Sequence, residues 1–117
     1  MSPSAAPRIR AVFYKTPAGG EVVLDWLRGL DDADRHEIGL DLMRVQYRWP
    51  VGMPLCRPLG SGLWELRTSL AGGRIARMMF CVNGAAITVV SGFLKTTQKT
   101  PDEELALARK RMKEFLP

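Results

Sequence analysis

The stretch RIARMMFCVNGAAITVVSGFL, residues 74–94, decides the fold because it contains a β-hairpin. Two runs rich in β-branched, aromatic and other apolar residues flank Asn83-Gly84, a dipeptide that favours a two-residue type I′ turn. Counting outward from that turn, each residue of one strand lies opposite a residue of the other, and every second pair faces the core. The predicted core-facing pairs are Val82–Ala85, Phe80–Ile87, Met78–Val89 and Ala76–Ser91.

The other side of this hairpin is predicted to be polar. Strand side chains alternate between the two faces, so Arg77, placed opposite Val90, points away from the core. In LWELR, residues 63–67, the apolar positions alternate with Glu65 and Arg67. We therefore expect Glu65, Arg67, Arg77 and Thr88 to share one open sheet face, a shallow bowl. Arg74 falls on the core side near the start of its strand, from where its long side chain reaches outward.

The remaining elements follow from periodicity and chain-breaking residues. RIRAVFYK, residues 8–15, alternates like a strand, and residues 21–30 and 31–49 have the apolar spacing of two helices joined by a short link. VGMPLCRPLGSG, residues 51–62, contains so many prolines and glycines that we interpret it as an irregular connection. A capping box at Thr100 starts a closing helix over residues 101–115. The predicted order is β-α-α-β-β-β-α.

This order predicts an α+β fold. We expect a small antiparallel four-stranded sheet with an N-terminal helix pair and a C-terminal helix, all helices lying on one side of the sheet. At 117 residues the chain has the length of one domain, residues 1–117, in which residues 1–7 form a flexible lead. No window approaches the ~20 apolar residues of a membrane span, and the N-terminal segment lacks the apolar core of a signal peptide, so a cytoplasmic protein is predicted.

Charge and cysteine content narrow the class of partner. Seventeen Lys and Arg against twelve Asp and Glu give a net charge of +5, which favours polyanionic or acidic partners. The same charge is also compatible with a basic surface that only keeps the protein in solution. One histidine and two cysteines without a CxxC motif cannot assemble a zinc site. We predict no metal and no cofactor.

The segment GFLKTTQKTP, residues 92–101, adds further donors beside the polar face. Lys95 and Lys99, with Thr96 and Thr97 between them, follow the last strand and are candidates for binding phosphate oxygens. Each feature also has a purely structural interpretation. A basic connector is often only a solvated loop, and the sheet arginines could form cross-strand ion pairs worth ~0.2–1 kcal/mol each. Together, the two features favour a phosphodiester-binding site.

In LWELR, RIARMMF and SGFLKTTQKTP the chain resembles the RelE/HigB-type toxins of toxin–antitoxin pairs, in the phage-derived, HigB-like branch of the RelE/ParE superfamily. The resemblance covers roughly residues 9–113, and its most specific part is the phrase similar to F-x-K-K-T-x-K-T-P at residues 93–101. It implies a RelE-like sheet with an N-terminal helix pair. It also implies a type II toxin that cleaves mRNA on the ribosome without a metal. A partner antitoxin of the helix-turn-helix type would keep this toxin inactive.

Carried onto this chain, the resemblance implicates two sets of residues. The implied catalytic residues are Arg67, Arg77, Lys95 and Glu65. The implied RNA-binding or phosphate-binding residues are Arg74, Lys99, Thr96 and Thr97.

The chemistry of RNA cleavage explains why arginines would be used. The 2′-hydroxyl must lose a proton, the pentavalent phosphorus gains negative charge, and the 5′-oxygen must be protonated as it leaves. Arg67 and Arg77 suit the second task, and Lys95 suits phosphate binding or proton handling. Glu65 is either the base or an ion-pair partner of the arginines.

The proton-transfer groups and the function class both stay open. His36, Tyr14 and Tyr47 lie outside the motif segments, so none of them is assigned as an acid or base. Two alternatives to the nuclease remain: a ParE-like inhibitor of DNA gyrase, and a phage-derived binding module without activity.

Overall fold

The computed structural model describes residues 9–95 and 101–114, which fold as an α+β unit with three helices and a five-stranded mixed sheet. The strands are β1 (Arg10–Phe13), β2 (Cys56–Gly60), β3 (Leu63–Ser69), β4 (Ile75–Asn83) and β5 (Ala86–Lys95), and the helices are α1 (Val22–Arg28), α2 (Asp32–Arg48) and α3 (Asp102–Lys113). The sheet order is β1-β5-β4-β3-β2. The predicted flexible lead, residues 1–7, lies outside the described residues.

The predicted four-stranded sheet is wrong because the segment interpreted as an irregular connection contains β2. This strand pairs antiparallel with β3, Cys56 opposite Leu66 and Arg57 opposite Glu65. Pro58 is compatible with β2 because an edge strand needs hydrogen bonds on one side only. A turn with positive φ at Gly60, Ser61 and Gly62 then leads into β3.

The sheet is mixed rather than antiparallel because its first and last strands run in the same direction. β2, β3, β4 and β5 alternate in direction, whereas β1 pairs parallel to β5, with Arg10 opposite Ala86. The prediction of a purely antiparallel sheet is therefore wrong at this one pairing.

The hairpin forms one residue later than its sequence predicts. Asn83 pairs with Ala86, so the two turn residues are Gly84 and Ala85. Gly84 has φ +62° and Ala85 does not have a positive φ, which is the sign pattern of a type II′ turn rather than type I′. The predicted core-facing pairs are replaced by Val82–Ile87, Phe80–Val89, Met78–Gly92 and Ala76–Leu94.

A β-bulge at Val90 changes the register of the second half of the hairpin. Phe80 pairs with Val89 and Met79 with Ser91, so Val90 is an extra residue in β5. Ser91, predicted on the core side, consequently shares the face of Met79. Arg77 pairs with Phe93 and not with Val90 as predicted.

One face of the sheet, which we call the helix-pair face, packs against α1 and α2. Its residues include Trp64, Leu66, Met78, Phe80 and Val89. The Trp49 ring, which follows α2, meets the Trp64 and Phe80 rings edge-on at centroid distances of 5.0 and 5.5 Å. The predicted inward positions Ile38, Leu42 and Val45 of α2 are buried. The two helices form the predicted N-terminal pair.

The prediction that every helix covers the same side is wrong, because α3 packs on the opposite face. Tyr14 follows Phe13 and points to that face, where its hydroxyl donates to both carboxylate oxygens of Glu114 at 3.0 Å. The Arg111 guanidinium lies 5.0 Å from the centre of the Tyr14 ring and donates to the Val90 carbonyl at 2.8 Å. Burial raises the pKa of the Tyr14 hydroxyl, as does the hydrogen bond to Glu114.

The position of α3 accounts for the burial of both sheet faces. Ala108 and Met112 of α3 are buried, as are Met79 and Cys81 of β4 on the face that α3 covers. The predicted capping residue Thr100 and the predicted inward residue Phe115 lie outside the described residues. Among residues 9–95 and 101–114, no helix is both long and apolar enough to cross a membrane.

Candidate functional site

The register of β3 and β4 brings the sequence-predicted arginines together. Arg67 lies directly opposite Arg77, and Glu65 lies opposite Met79. Thr88 of β5 shares this side because it pairs with Cys81. We call this side, with Glu65, Arg67, Arg77 and Thr88, the arginine face. The prediction that these four residues share a face is confirmed.

The prediction that the arginine face is an open bowl is wrong. Glu65 and Arg77 are 0% exposed, and Thr88 is also buried. The sequence interpretation placed all helices on the other side, whereas α3 covers this face together with the side chains around it. Arg77 in this conformation is therefore a buried residue and not one that projects toward solvent.

A buried ion cluster, Arg57, Glu65 and Arg77, occupies the centre of this face. The Arg77 Nη1 donates to both Glu65 carboxylate oxygens at 3.1 Å. The Arg57 Nη2 lies 3.2 Å from Glu65 Oε1, and the Arg57 side chain is 33% exposed. A charge removed from water needs an opposite charge close by, so Glu65 acts as the ion-pair partner of the arginines.

Arg57 was missed because β2 was missed. Its position opposite Glu65 follows directly from the β2–β3 register. The signal that indicates it is the pair of runs CRPLG and LWELR separated by Ser61-Gly62, a hairpin pattern that the prolines of the preceding segment obscure.

Arg67 differs from Arg77 because it is only half-buried and lies beside a cleft. β2 begins at Cys56, so the last residues of β3 form the edge of the sheet, and the Arg67 amide donates to the Leu55 carbonyl at 3.0 Å. A cleft of about 490 Å³, which we call the edge cleft, opens there. Its lining residues are Glu37, Asp41, Arg44, Pro54, Leu55, Arg67, Ser69 and Ile75.

Lys95 belongs to the same end of the arginine face. It is the last residue of β5, is half-buried, and pairs with Ile75, which lines the edge cleft. Ile75 pairs on its other side with Ser69, so Lys95 and Ser69 are two strands apart, about 10 Å between backbones. Arg67 and Lys95 are thus both partly exposed cations at this end.

Arg74, predicted to bind phosphate, is not part of this group. It forms a bidentate pair with Asp34 of α2, with Nη1 and Nη2 donating at 2.6 and 2.9 Å, and its Nε donates to the Ala71 carbonyl at 3.0 Å. The hydrogen bond from Arg74 lowers the pKa of Asp34. Arg74 therefore ties the β3–β4 connection to α2.

The other predicted phosphate ligands, Lys99, Thr96 and Thr97, lie outside the described residues. Within the part of the chain that the structure describes, no group of three or more His, Cys, Asp or Glu side chains is placed to hold a metal ion.

A comparison with known proteins places the chain in a family. The family model described as "Phage derived protein Gp49-like (DUF891)" matches residues 25–113, a span that runs from α1 through α3 and includes the arginine face. None of the curated proteins compared with the chain matches it. The Gp49-like family lies within the RelE/toxin-like superfamily, which is consistent at a coarse level with a role related to toxin–antitoxin pairs. Since the match covers most of its length, the chain belongs to the Gp49-like family of phage-derived proteins.

Proposed function

We propose that this protein is the toxin of a type II toxin–antitoxin pair and that it cleaves mRNA on the ribosome, in the cytoplasm. Family membership and the net charge of +5 support a partner that is a polyanion. The observation that carries the proposal is the position of two partly exposed cations at one end of the arginine face: Arg67 lines the edge cleft, and Lys95 pairs with Ile75, which also lines it.

In this proposal Arg67 binds the scissile phosphate. Its guanidinium fork matches two phosphate oxygens and stabilises the negative charge that develops when the 2′-hydroxyl attacks the adjacent phosphorus and the 5′-oxygen leaves. Lys95 supplies a second cation at the same end of the face. The RNA strand follows the sheet edge rather than the buried centre.

Arg77 and Glu65 act as positioning residues in this scheme. Arg77 lies next to Arg67 across the strand pair, and its contact with Glu65 holds the charges of this face in place. Glu65 is buried between two arginines, and we assign it no proton transfer. The antitoxin would neutralise the exposed cations with an acidic segment, which gains from charge complementarity.

The test is inducible expression in bacteria with the 5′ ends of cellular mRNA mapped after induction. The wild type is expected to arrest growth and to break mRNA within coding regions. Arg67→Ala should lower the cleavage rate by ~10²–10³ because one preorganised donor is lost. Arg48→Ala removes an equal charge from the exposed end of α2 and serves as the matched control, with cleavage unchanged. Lys95→Ala should also slow cleavage.

Growth arrest with intact mRNA would refute the nuclease. If DNA supercoiling also changed, the result would support inhibition of DNA gyrase instead. The burial of Glu65 and Arg77 beneath α3 favours one further candidate, a binding module without chemistry. That candidate predicts normal growth and intact mRNA for the wild type and for both variants.

A further inference from the structure

The edge cleft has the size and the mixed lining of a small-molecule site. Its volume of about 490 Å³ lies within the ~300–1,000 Å³ typical of ligand pockets. One wall is the polar side of α2, a second is the Pro54-Leu55 turn, and the third comprises Arg67 and Ser69 of β3 with Ile75 of β4. Polar and apolar groups therefore face each other across the same space.

The charged residues of the α2 wall are not equivalent. Asp41 forms an ion pair with Arg44, and the Asp41 side chain is only 12% exposed. Glu37, one helical turn earlier, is exposed and makes no ion pair with any residue in 9–95 or 101–114. Glu37 is thus the carboxylate of this wall that an incoming hydrogen-bond donor meets.

The apolar walls suit a flat group. Pro54, Leu55 and Ile75 offer aliphatic surface on two sides of the cleft, against which a planar ring can lie. Single-stranded RNA is recognised in this way, with an unstacked base between side chains and its Watson–Crick edge hydrogen-bonded. Arg67 at the same cleft would hold the adjoining phosphate, so this step rests on the proposed function.

The four bases differ in the hydrogen-bonding groups of their Watson–Crick edges, and this difference identifies the base that a carboxylate prefers. The two oxygens of Glu37 accept two parallel hydrogen bonds, and guanine presents two adjacent donors, N1–H and the N2 amino group. Adenine and cytosine present one amino donor beside a ring nitrogen acceptor, which a carboxylate repels, and uracil presents one donor between two acceptors. We infer that the edge cleft binds a guanine base of the RNA substrate, with Glu37 as the residue that determines its specificity.

The inference is tested by binding of the four ribonucleoside 3′-monophosphates to the purified protein, measured by calorimetry or NMR titration. The 3′-GMP is expected to bind about ten-fold more tightly than 3′-AMP, 3′-CMP and 3′-UMP, in line with the discrimination of one good bidentate contact. Glu37→Gln should reduce 3′-GMP to the affinity of the others while leaving those unchanged. Glu103→Gln removes an exposed carboxylate from α3 and should preserve the preference.

The outcomes separate this inference from the proposed function. Equal binding of the four nucleotides, or a guanine preference that survives Glu37→Gln in a protein with unchanged circular dichroism, overturns the inference even if mRNA is cleaved. A guanine preference that depends on Glu37, together with intact mRNA in cells, supports the cleft and overturns the nuclease. If the protein both prefers guanine through Glu37 and cleaves mRNA, the mapped cleavage sites of the wild type should be enriched in guanine next to the cut. Those of Glu37→Gln should not be.

Discussion

Replacement of Glu65 by glutamine tests whether the arginine face is held together by charge. Glutamine has nearly the same shape, so the substitution removes the negative charge that lies 3.1 Å from Arg77 and 3.2 Å from Arg57. Because Glu65 and Arg77 are both 0% exposed, water cannot take over the lost contact. Removing one partner of a buried ion pair costs ~3–5 kcal/mol.

This cost is large compared with the stability of a domain of this size. Domains unfold with a free energy of ~5–15 kcal/mol. The Glu65→Gln variant should therefore keep only part of the wild-type free energy of unfolding. With a denaturant slope of ~1.5 kcal/mol per molar urea, the unfolding midpoint should fall by about 2–3 M. The three tryptophans provide a fluorescence signal for the transition, and far-UV circular dichroism provides the second.

A second variant separates lost charge from lost packing. In Glu65→Gln with Arg77→Met, the stranded cation is replaced by an apolar side chain of similar length, so the double variant should be more stable than Glu65→Gln alone. Glu103→Gln, at an exposed site on α3, should change the free energy by less than about 1 kcal/mol. The reasoning fails if Glu65→Gln costs no more than this control, or if Arg77→Met adds a further loss.

Three other regions give independent checks. A Cβ at Gly92 would lie 2.5 Å from the Trp26 ring, so Gly92→Ala should lower the free energy of unfolding by ~1–3 kcal/mol, and a Trp26→Leu background should abolish the effect. The hydrogen bonds from Arg74 hold the Asp34 pKa below the ordinary value of an aspartate, so this stabilisation is present above about pH 4 and lost as pH falls through the folded-state pKa. Asp34→Asn should therefore flatten the acid dependence of urea unfolding, and identical acid profiles would argue against the pairing. Burial raises the Cys56 pKa to about 11, so this thiol should react with a disulfide reagent at pH 8 only after unfolding; rapid labelling of the native protein would contradict the buried position.

The local parts of the fold could be predicted because their signals are local. Helix periodicity placed Ile38, Leu42 and Val45 on the buried side of α2, and Pro50 follows soon after the helix ends. Strand alternation placed Glu65, Arg67 and Arg77 on one face without knowledge of the register. The core side of β4 was correct because it follows from alternation within β4 itself, although its partners in β5 were not: they shift by two residues up to the bulge at Val90, which preserves the face, and by three beyond it, which moves Ser91 to the other face.

The side on which α3 packs could not be deduced from helix periodicity, since an apolar stripe does not say which surface it meets. The informative signal is the continuous apolar run from Met78 to Val82, which is typical of a strand buried on both faces. Interpreted that way, the run predicts a second covering layer and therefore a buried Arg77. The edge cleft depends on tertiary contacts between α2 and the end of β3, which no sequence pattern encodes.

The parallel pairing of β1 with β5 also has a consequence for protein synthesis. Arg10 is among the first described residues to leave the ribosome, yet its partner Ala86 emerges only after most of the chain has been made. Contacts so distant in sequence form late, and α3, which covers the arginine face, is translated later still. We expect the nascent polypeptide to remain without a complete sheet, and thus without the proposed activity, until β5 and α3 have left the ribosome.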